Sequence, residues 1–189
     1  MLIDDDIKSC LEILKKGGVI LYPTDTVWGL GCDATNEIAV NKIFKIKKRA
    51  EEKSLIILLS DEEQLKNYVS DKTPEVFDFI KGINKPVTII YNNAKNLAKN
   101  VIGKDGSIGI RITSEKFCKK LIDLFGKPIV STSSNISGFP PPMLFSDIDY
   151  EIISSVDYIV KYRQEETEPG LPSTIIKINK DYSYTIIRN

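Results

Sequence analysis

The stretch Asp4-Asp5-Asp6-Ile7-Lys8-Ser9-Cys10-Leu11-Glu12-Ile13-Leu14-Lys15-Lys16-Gly17-Gly18-Val19-Ile20-Leu21-Tyr22 changes period partway along, and that change decides the fold class. In its first part Ile7, Cys10, Leu11 and Leu14 recur at helical spacing, and acids crowd the start, where the helix macrodipole favours them. Gly17-Gly18 closes the helix. Val19 to Tyr22 is then a short apolar run that reads as a buried strand, ended by Pro23. A helix feeding directly into a buried strand is the building unit of an α/β protein.

The alternation continues outward from there. Asn36 caps a second helix with Ala39, Val40, Ile43, Phe44 and Ile46 on its apolar side, and a basic cluster, Lys45, Lys47, Lys48 and Arg49, at its end. Leu55 to Leu59 reads as a strand. Ser60 and Glu63 have the spacing of a capping box for a helix to about Tyr68. Thr73-Pro74 looks like the start of another, to about Lys81. Strands follow at Val87 to Tyr91 and at Ile108 to Ile112, the latter after the turn signal Lys104-Asp105-Gly106. Glu115 to Phe125 reads as a helix with Phe117, Leu121 and Leu124 inward and Gly126 as its stop. Then come a strand at Ile129 to Thr132, a helix from about Asp147 to Ser154, a strand at Tyr158 to Lys161, and a hairpin of Thr174 to Ile178 with Tyr184 to Arg188. Pro23 to Ala34, Ser133 to Pro142 and Tyr162 to Pro172 read as loops. With no repeat and no break in composition, residues 1–189 are expected to form a single α/β domain, an open twisted mixed sheet with flanking helices. The pattern leaves strand order open.

Composition narrows the chemistry. The chain has 189 residues, 26 basic and 26 acidic, and no histidine. That excludes a Ser-His-Asp triad, a Cys-His pair, a His-ligated zinc and an imidazole base. Cys10, Cys32 and Cys118 are odd in number, with no Cys-x-x-Cys, so no zinc site or disulfide framework is expected. An acidic N-terminus is unlike a signal peptide. The longest apolar runs, about five residues around Leu55 to Leu59, fall far short of the ~20 needed to span a bilayer. The expected setting is cytoplasmic, with no membrane partner. A net charge of zero argues against a general polyanion binder.

Four places gather small polar or cationic residues just after predicted strands or at a helix end, where α/β proteins put ligands. Tyr22-Pro23-Thr24-Asp25-Thr26-Val27-Trp28-Gly29-Leu30-Gly31 offers hydroxyls and close backbone approach, although a turn bonding its own backbone would use the same residues. Lys47-Lys48-Arg49, with Lys53 after it, has an ordinary explanation as cations at a helix C-terminus. Against that stands scarcity: Arg49, Arg111, Arg163 and Arg188 are the only arginines, and arginine suits fixed, bidentate binding of phosphate or carboxylate. Gly109-Ile110-Arg111 puts a guanidinium at the end of a strand, facing an anion or a structural ion-pair partner. Ser131-Thr132-Ser133-Ser134-Asn135-Ile136-Ser137-Gly138 sets five hydroxyls and an amide after a buried strand, which suits a phosphate or a base edge. Neither a Walker A nor a Gly-x-Gly-x-x-Gly is present.

Taken in order, these segments resemble the YrdC family of threonylcarbamoyl-AMP synthases. The resembling residues are Tyr22-Pro23-Thr24-Asp25-Thr26-Val27-Trp28-Gly29-Leu30-Gly31-Cys32-Asp33-Ala34, Ile43-Phe44 to Lys47-Lys48-Arg49, Pro86-Val87-Thr88, Gly109-Ile110-Arg111, Ser131 to Gly138, and Pro172-Ser173-Thr174-Ile175. The chain departs from the family's pattern at Ala50, Ser54 and Thr113, each in place of a proline, and at Lys85, in place of a glycine; it also lacks a histidine found near Leu58 in longer members.

The resemblance implies that L-threonine, bicarbonate or CO2, and ATP give threonylcarbamoyl-AMP and pyrophosphate, for threonylcarbamoyladenosine in tRNA. It assigns ATP to Lys47, Arg49, Lys53, Ser107, Ser133, Asn135 and Arg188, and threonine to Thr26, Arg111 and Ser173. It also implies Mg2+ held mainly by the nucleotide with no ligand from protein side chains, a threonylcarbamoyl-transferase partner protein, and contact with tRNA. Such a reaction rests on orientation and charge neutralisation, so a histidine-free site is no obstacle. Two rival readings are a non-catalytic RNA-binding protein of the same fold, and the carbamoyl-transfer module of a hydrogenase-maturation protein. The second needs zinc-binding residues and further domains that this chain lacks.

Overall fold

The computed structural model describes residues 2–50, 54–70, 83, 85–179, 181 and 183–189. Its framework is a mixed sheet of nine strands: β1 (Ile20–Tyr22), β2 (Gly29–Gly31), β3 (Ile56–Leu59), β4 (Val87–Tyr91), β5 (Ile108–Ile112), β6 (Ile129–Ser133), β7 (Tyr158–Ile159), β8 (Thr174–Ile178) and β9 (Tyr184–Arg188). They lie in the order β7-β1-β2-β6-β3-β5-β4-β8-β9. Three neighbouring pairs, β1 with β7, β3 with β5 and β4 with β8, are parallel, and the others antiparallel. Among the described residues the α-helices are α1 (Leu2–Lys15), α2 (Glu37–Ile46), α3 (Leu65–Tyr68), α4 (Lys116–Phe125) and α5 (Tyr150–Ile153).

Local chemistry accounts for most of these elements. The Asn36 side chain accepts from the amides of Ile38 and Ala39 at the start of α2, and Glu115 accepts from the Cys118 amide at the start of α4. Gly126 ends α4 in the left-handed conformation at φ 72°. α1 packs on α4 and against β1 and β7. Asp6 on α1, itself buried, accepts from the Tyr158 hydroxyl and from the amides of Lys161 and Tyr162, which pins the edge strand β7 to the helix.

Several expectations need correction. Gly29–Gly31 is a strand inside the segment read as a loop. Glycine has low strand propensity, so pattern reading passes over it. The sheet requires glycine here: a Cβ on Gly31 would come 2.6 Å from Cε1 of Tyr22 and 3.0 Å from Ile129 Cγ2. The Ser60 capping box does not form; Asp61 accepts from the Gln64 amide, and the helix shrinks to Leu65–Tyr68. Leu124 is 56% exposed while Cys118 and Ile122 join Phe117 and Leu121 in the core. The helix expected at Asp147 begins at Tyr150, capped by Asp149. The helix read at Thr73 to Lys81 lies outside the described residues.

Tyr22 has no room to yield, because it is fully buried and its hydroxyl donates to the Val130 carbonyl. Gly31→Ala is therefore expected to lose about 1–3 kcal/mol of stability through overpacking, read from urea unfolding.

Candidate functional site

Because side chains alternate along a strand, the register fixes which residues share a face. Gly29 of β2, Ser131 and Ser133 of β6, Ile56 of β3, Gly109 and Arg111 of β5, Thr88 of β4, Ile175 of β8 and Arg188 of β9 all fall on one side of the sheet. Above them lies a cleft of about 280 Å3, also lined by Thr26, Val27, Arg49, Ser54, Leu55, Thr132, Pro141, Pro172 and Ser173. Gly109 keeps its floor low, since a Cβ there would stand 2.8 Å from Ile56 Cγ2 and 3.5 Å from Thr88 Cγ2. Three arginines line the cleft, and among the described residues no carboxylate does.

Each arginine arrives by a different device. Arg49 comes from the end of α2. The Arg49 amide bonds the Phe44 carbonyl and the Lys48 amide bonds that of Lys45, with Lys48 left-handed at φ 48°. That is a Schellman terminus with lysine where glycine is usual. The reversal sends consecutive cations in different directions. Lys47 is 1% exposed and donates through Nζ to the carbonyls of Ser133 and Asn135. Lys48 points outward to Glu151 at 2.6 Å. Arg49 turns into the cleft, with Nη2 on the Ser54 carbonyl at 2.8 Å. Burial lowers the Arg49 pKa; burial and then the charge of Arg49 bring Lys47 down to about 7.

Arg111 sits on β5, 3% exposed. Its Nε lies 3.0 Å from Oδ1 of Asp25, itself buried. This is a charge contact without hydrogen-bond alignment, since both atoms are otherwise unpartnered. Asp25 Oδ2 accepts from the Ser114 amide. Arg111 Nη2 reaches Thr24 Oγ1 at 3.4 Å. Thr24 gives its one hydroxyl proton to the Val27 carbonyl, so in the 2.9 Å contact between the two hydroxyls Thr26 is the donor. The lone pairs of Thr26 are thereby left as acceptors at the cleft wall. Gly170 packs against Thr26 from outside, so closely that a Cβ there would meet the Thr26 carbonyl oxygen at 1.9 Å. Arg163, left-handed at φ 68°, donates to the Thr24 carbonyl and pairs with Glu166.

Arg188 owes its direction to a β-bulge. β9 pairs Ile178 with Tyr184, Lys177 with Thr185 and Ile176 with Ile186, then skips Ile187 so that Ile175 meets Arg188. Regular pairing would turn Arg188 to the opposite face; the extra residue re-aims it. Its Nε and Nη2 both hold the Ser173 carbonyl, and Nη2 also approaches Ser173 Oγ, which bonds Thr88 Oγ1 at 2.8 Å. Burial, then the charge of Arg111, lowers its pKa.

The structure thus brings Thr26, Arg49, Arg111, Ser133, Ser173 and Arg188 to one cleft. Lys47 lies beneath it. Asn135 lines a neighbouring pocket with Phe139, and its amide is engaged by the carbonyls of Ile136 and Phe139. Ser107 precedes β5, is bonded to Asp105, and is absent from the lining. Lys53 lies outside the described residues. Sequence reasoning placed Thr88, Ser131 and Asp25 in the segments it singled out but assigned none of them a ligand of its own. Thr88 carried a signal, a hydroxyl between apolar strand residues; the Asp25–Arg111 pairing, 86 positions apart in sequence, carried none. Among the described residues no group of three or more His, Cys, Asp or Glu could hold a metal ion.

The profile of the Sua5, YciO and YrdC family, described as telomere recombination, matches residues 12–189. The threonylcarbamoyl-AMP synthase of Photobacterium profundum is 32% identical over 190 residues, 97% of this chain and 98% of that protein. Among solved structures, P. abyssi Sua5 complexed with L-threonine superposes with a TM-score of 0.83 at 26% identity, over 96% of this chain and 53% of that one. E. coli YciO does so with a TM-score of 0.82 at 26% identity, over 97% and 88%. The chain thus spans about half the length of the P. abyssi protein.

The buried Lys47 amine has a checkable consequence. Its folded pKa is about 7 against an ordinary 10.5, so between those values the unfolded chain binds the extra proton and stability contributed by this residue rises with pH. Below the window both states are protonated and the slope vanishes. Lys47→Met is expected to remove the rise, read as the difference between the two proteins' unfolding free energies across that range.

Proposed function

The chain belongs to the Sua5, YciO and YrdC family, and we propose that it is a threonylcarbamoyl-AMP synthase acting as one domain on L-threonine, bicarbonate or CO2, and ATP. The observation that carries this reading is a cleft lined by Arg49, Arg111 and Arg188, with no carboxylate among the described residues of its lining. Two anionic substrates must be brought together there, and guanidinium groups held in a partly dry hollow offset their charge.

Arg111 takes the threonine carboxylate, its far side balanced by Asp25. Thr26 accepts a hydrogen bond from the amino acid's amine or hydroxyl, and Ser173 lines the same cleft. Arg49 and Arg188 take the triphosphate, with Lys53 and Ser107 assigned to the same nucleotide. Ser133 presents its hydroxyl to the nucleotide, and Asn135 holds the loop that carries it. The neutral threonine amine attacks CO2 and becomes a carbamate, its proton passing to solvent. A carbamate oxygen then attacks the α-phosphorus, and the bond to pyrophosphate breaks. Both nucleophiles come from substrates, so the protein's part is orientation and electrostatics. Mg2+ would enter as a companion of the phosphates, held mainly by the nucleotide. The product is labile and charged, and calls for a transferase partner that hands the group to tRNA in the cytoplasm. No helix among the described residues is long and apolar enough to cross a membrane.

Incubation with ATP, bicarbonate and each amino acid in turn should yield pyrophosphate and an acyl-adenylate only when threonine and bicarbonate are both present. Tight tRNA binding with no turnover would support the non-catalytic alternative. Arg49→Ala should lower the rate by about 10²–10³ while changing stability little, as its contact with the Ser54 carbonyl is solvent-exposed. Unfolding of that variant with an unchanged rate per folded molecule would make Arg49 structural.

A further inference from the structure

We propose that Lys47 is a positioning residue for the nucleotide, shaping the Ser133–Ser137 loop from beneath while making no contact with the phosphates. The family resemblance assigns this lysine to the triphosphate. The geometry gives it other work, and this inference rests on the cleft binding a nucleoside triphosphate.

One residue ties the loop at three points. Lys47 Nζ donates to the carbonyls of Ser133 and Asn135, and the Lys47 carbonyl accepts from the Ser137 amide at 2.8 Å. Drawing two alternate carbonyls toward one ammonium group obliges the backbone to turn at Ser134 between them. Ser134 completes the turn from the other side: its amide and its hydroxyl both donate to the Trp28 carbonyl, at 3.1 and 2.9 Å. The same turn leaves the Ser133 hydroxyl at the cleft, where it donates to Asn135 Oδ1. The loop is thus stretched between the end of α2 and β2's approach, and the lysine is its inner anchor.

Reaching a phosphate would break this arrangement. Lys47 is 1% exposed and is absent from the cleft lining. Withdrawing Nζ would take this donor from two half-buried carbonyls, and such groups are seldom left unpaired. Arg49, two positions on, already presents a cation to the cleft from the same helix end. The depressed pKa agrees with a group held in a dry site by carbonyls and near a like charge. A neutral amine still carries two N–H donors, enough for both carbonyls.

The test uses Lys47→Ala and Lys47→Met in the full chain. Without nucleotide, both should show faster amide exchange at Ser134 and Ser137 and an altered Trp28 emission, with exchange in α1 and α4 unchanged. Propylamine, which replaces the atoms missing beyond Cβ, should restore slow exchange in Lys47→Ala. The KM for ATP should rise about tenfold or more while that for threonine moves less than about twofold. A merely structural role would shift both constants and exchange throughout. A loop unchanged in the ligand-free variants, with ATP binding lost, would overturn the proposal and make Lys47 a phosphate ligand. Should neither variant fold, nitrogen NMR of the wild-type Lys47 Nζ decides: couplings to the two carbonyls that persist with a non-hydrolysable ATP analogue support it, and coupling to phosphorus contradicts it. Absence of threonine-dependent product from the wild type would sink the synthase reading alone, since the exchange result needs no turnover.

Discussion

The 3.0 Å contact between Asp25 and Arg111, both almost out of water, is the constraint on which the cleft depends. A guanidinium on the face of a sheet is costly unless a counter-charge lies beside it, and breaking such a pair leaves a buried charge behind. Asp25 supplies that counter-charge from behind, in the loop between β1 and β2, and is fixed in turn by the Ser114 amide. The pair therefore joins β5 to the Thr24–Thr26 loop and settles where Thr26 sits. Arg163 and Gly170 brace the same loop from outside. Every arginine of the chain thus lies in the cleft or in its wall, which is the meaning of their scarcity.

The end of α2 divides labour among three adjacent cations. The Schellman turn buries Lys47, exposes Lys48 and aims Arg49 at the cleft. A helix carrying on through these residues would spread them around its axis at equal intervals. Termination is what lets one short basic run serve as anchor, surface charge and cleft cation at once. The β9 bulge does comparable work at the far side of the cleft, since without it Arg188 would point away.

Much of this was legible in the sequence, and the reasons differ by element. The helix at Asn36 announced itself through its cap and its apolar spacing, and β4, β5, β8 and β9 through short segments rich in isoleucine, valine and tyrosine. β2 did not, because Gly29 and Gly31 are chosen by the Tyr22 ring and the neighbouring strand, which no local rule reports. The polar loops after strands pointed to segments that line the cleft, as hydroxyl-rich segments at strand ends often line clefts. The inward and outward directions within Lys47-Lys48-Arg49 were hidden, since they depend on a left-handed lysine. So was the role of Asp25, whose partner is remote in sequence.

With only four arginines in the chain, their side-chain Nε–H signals can be followed one by one by NMR as substrates are added. The account predicts that ATP shifts Arg49 and Arg188, that threonine shifts Arg111, and that Arg163 responds least. Shifts confined to Arg163, or ATP and threonine leaving the three cleft arginines unmoved while still binding, would contradict it.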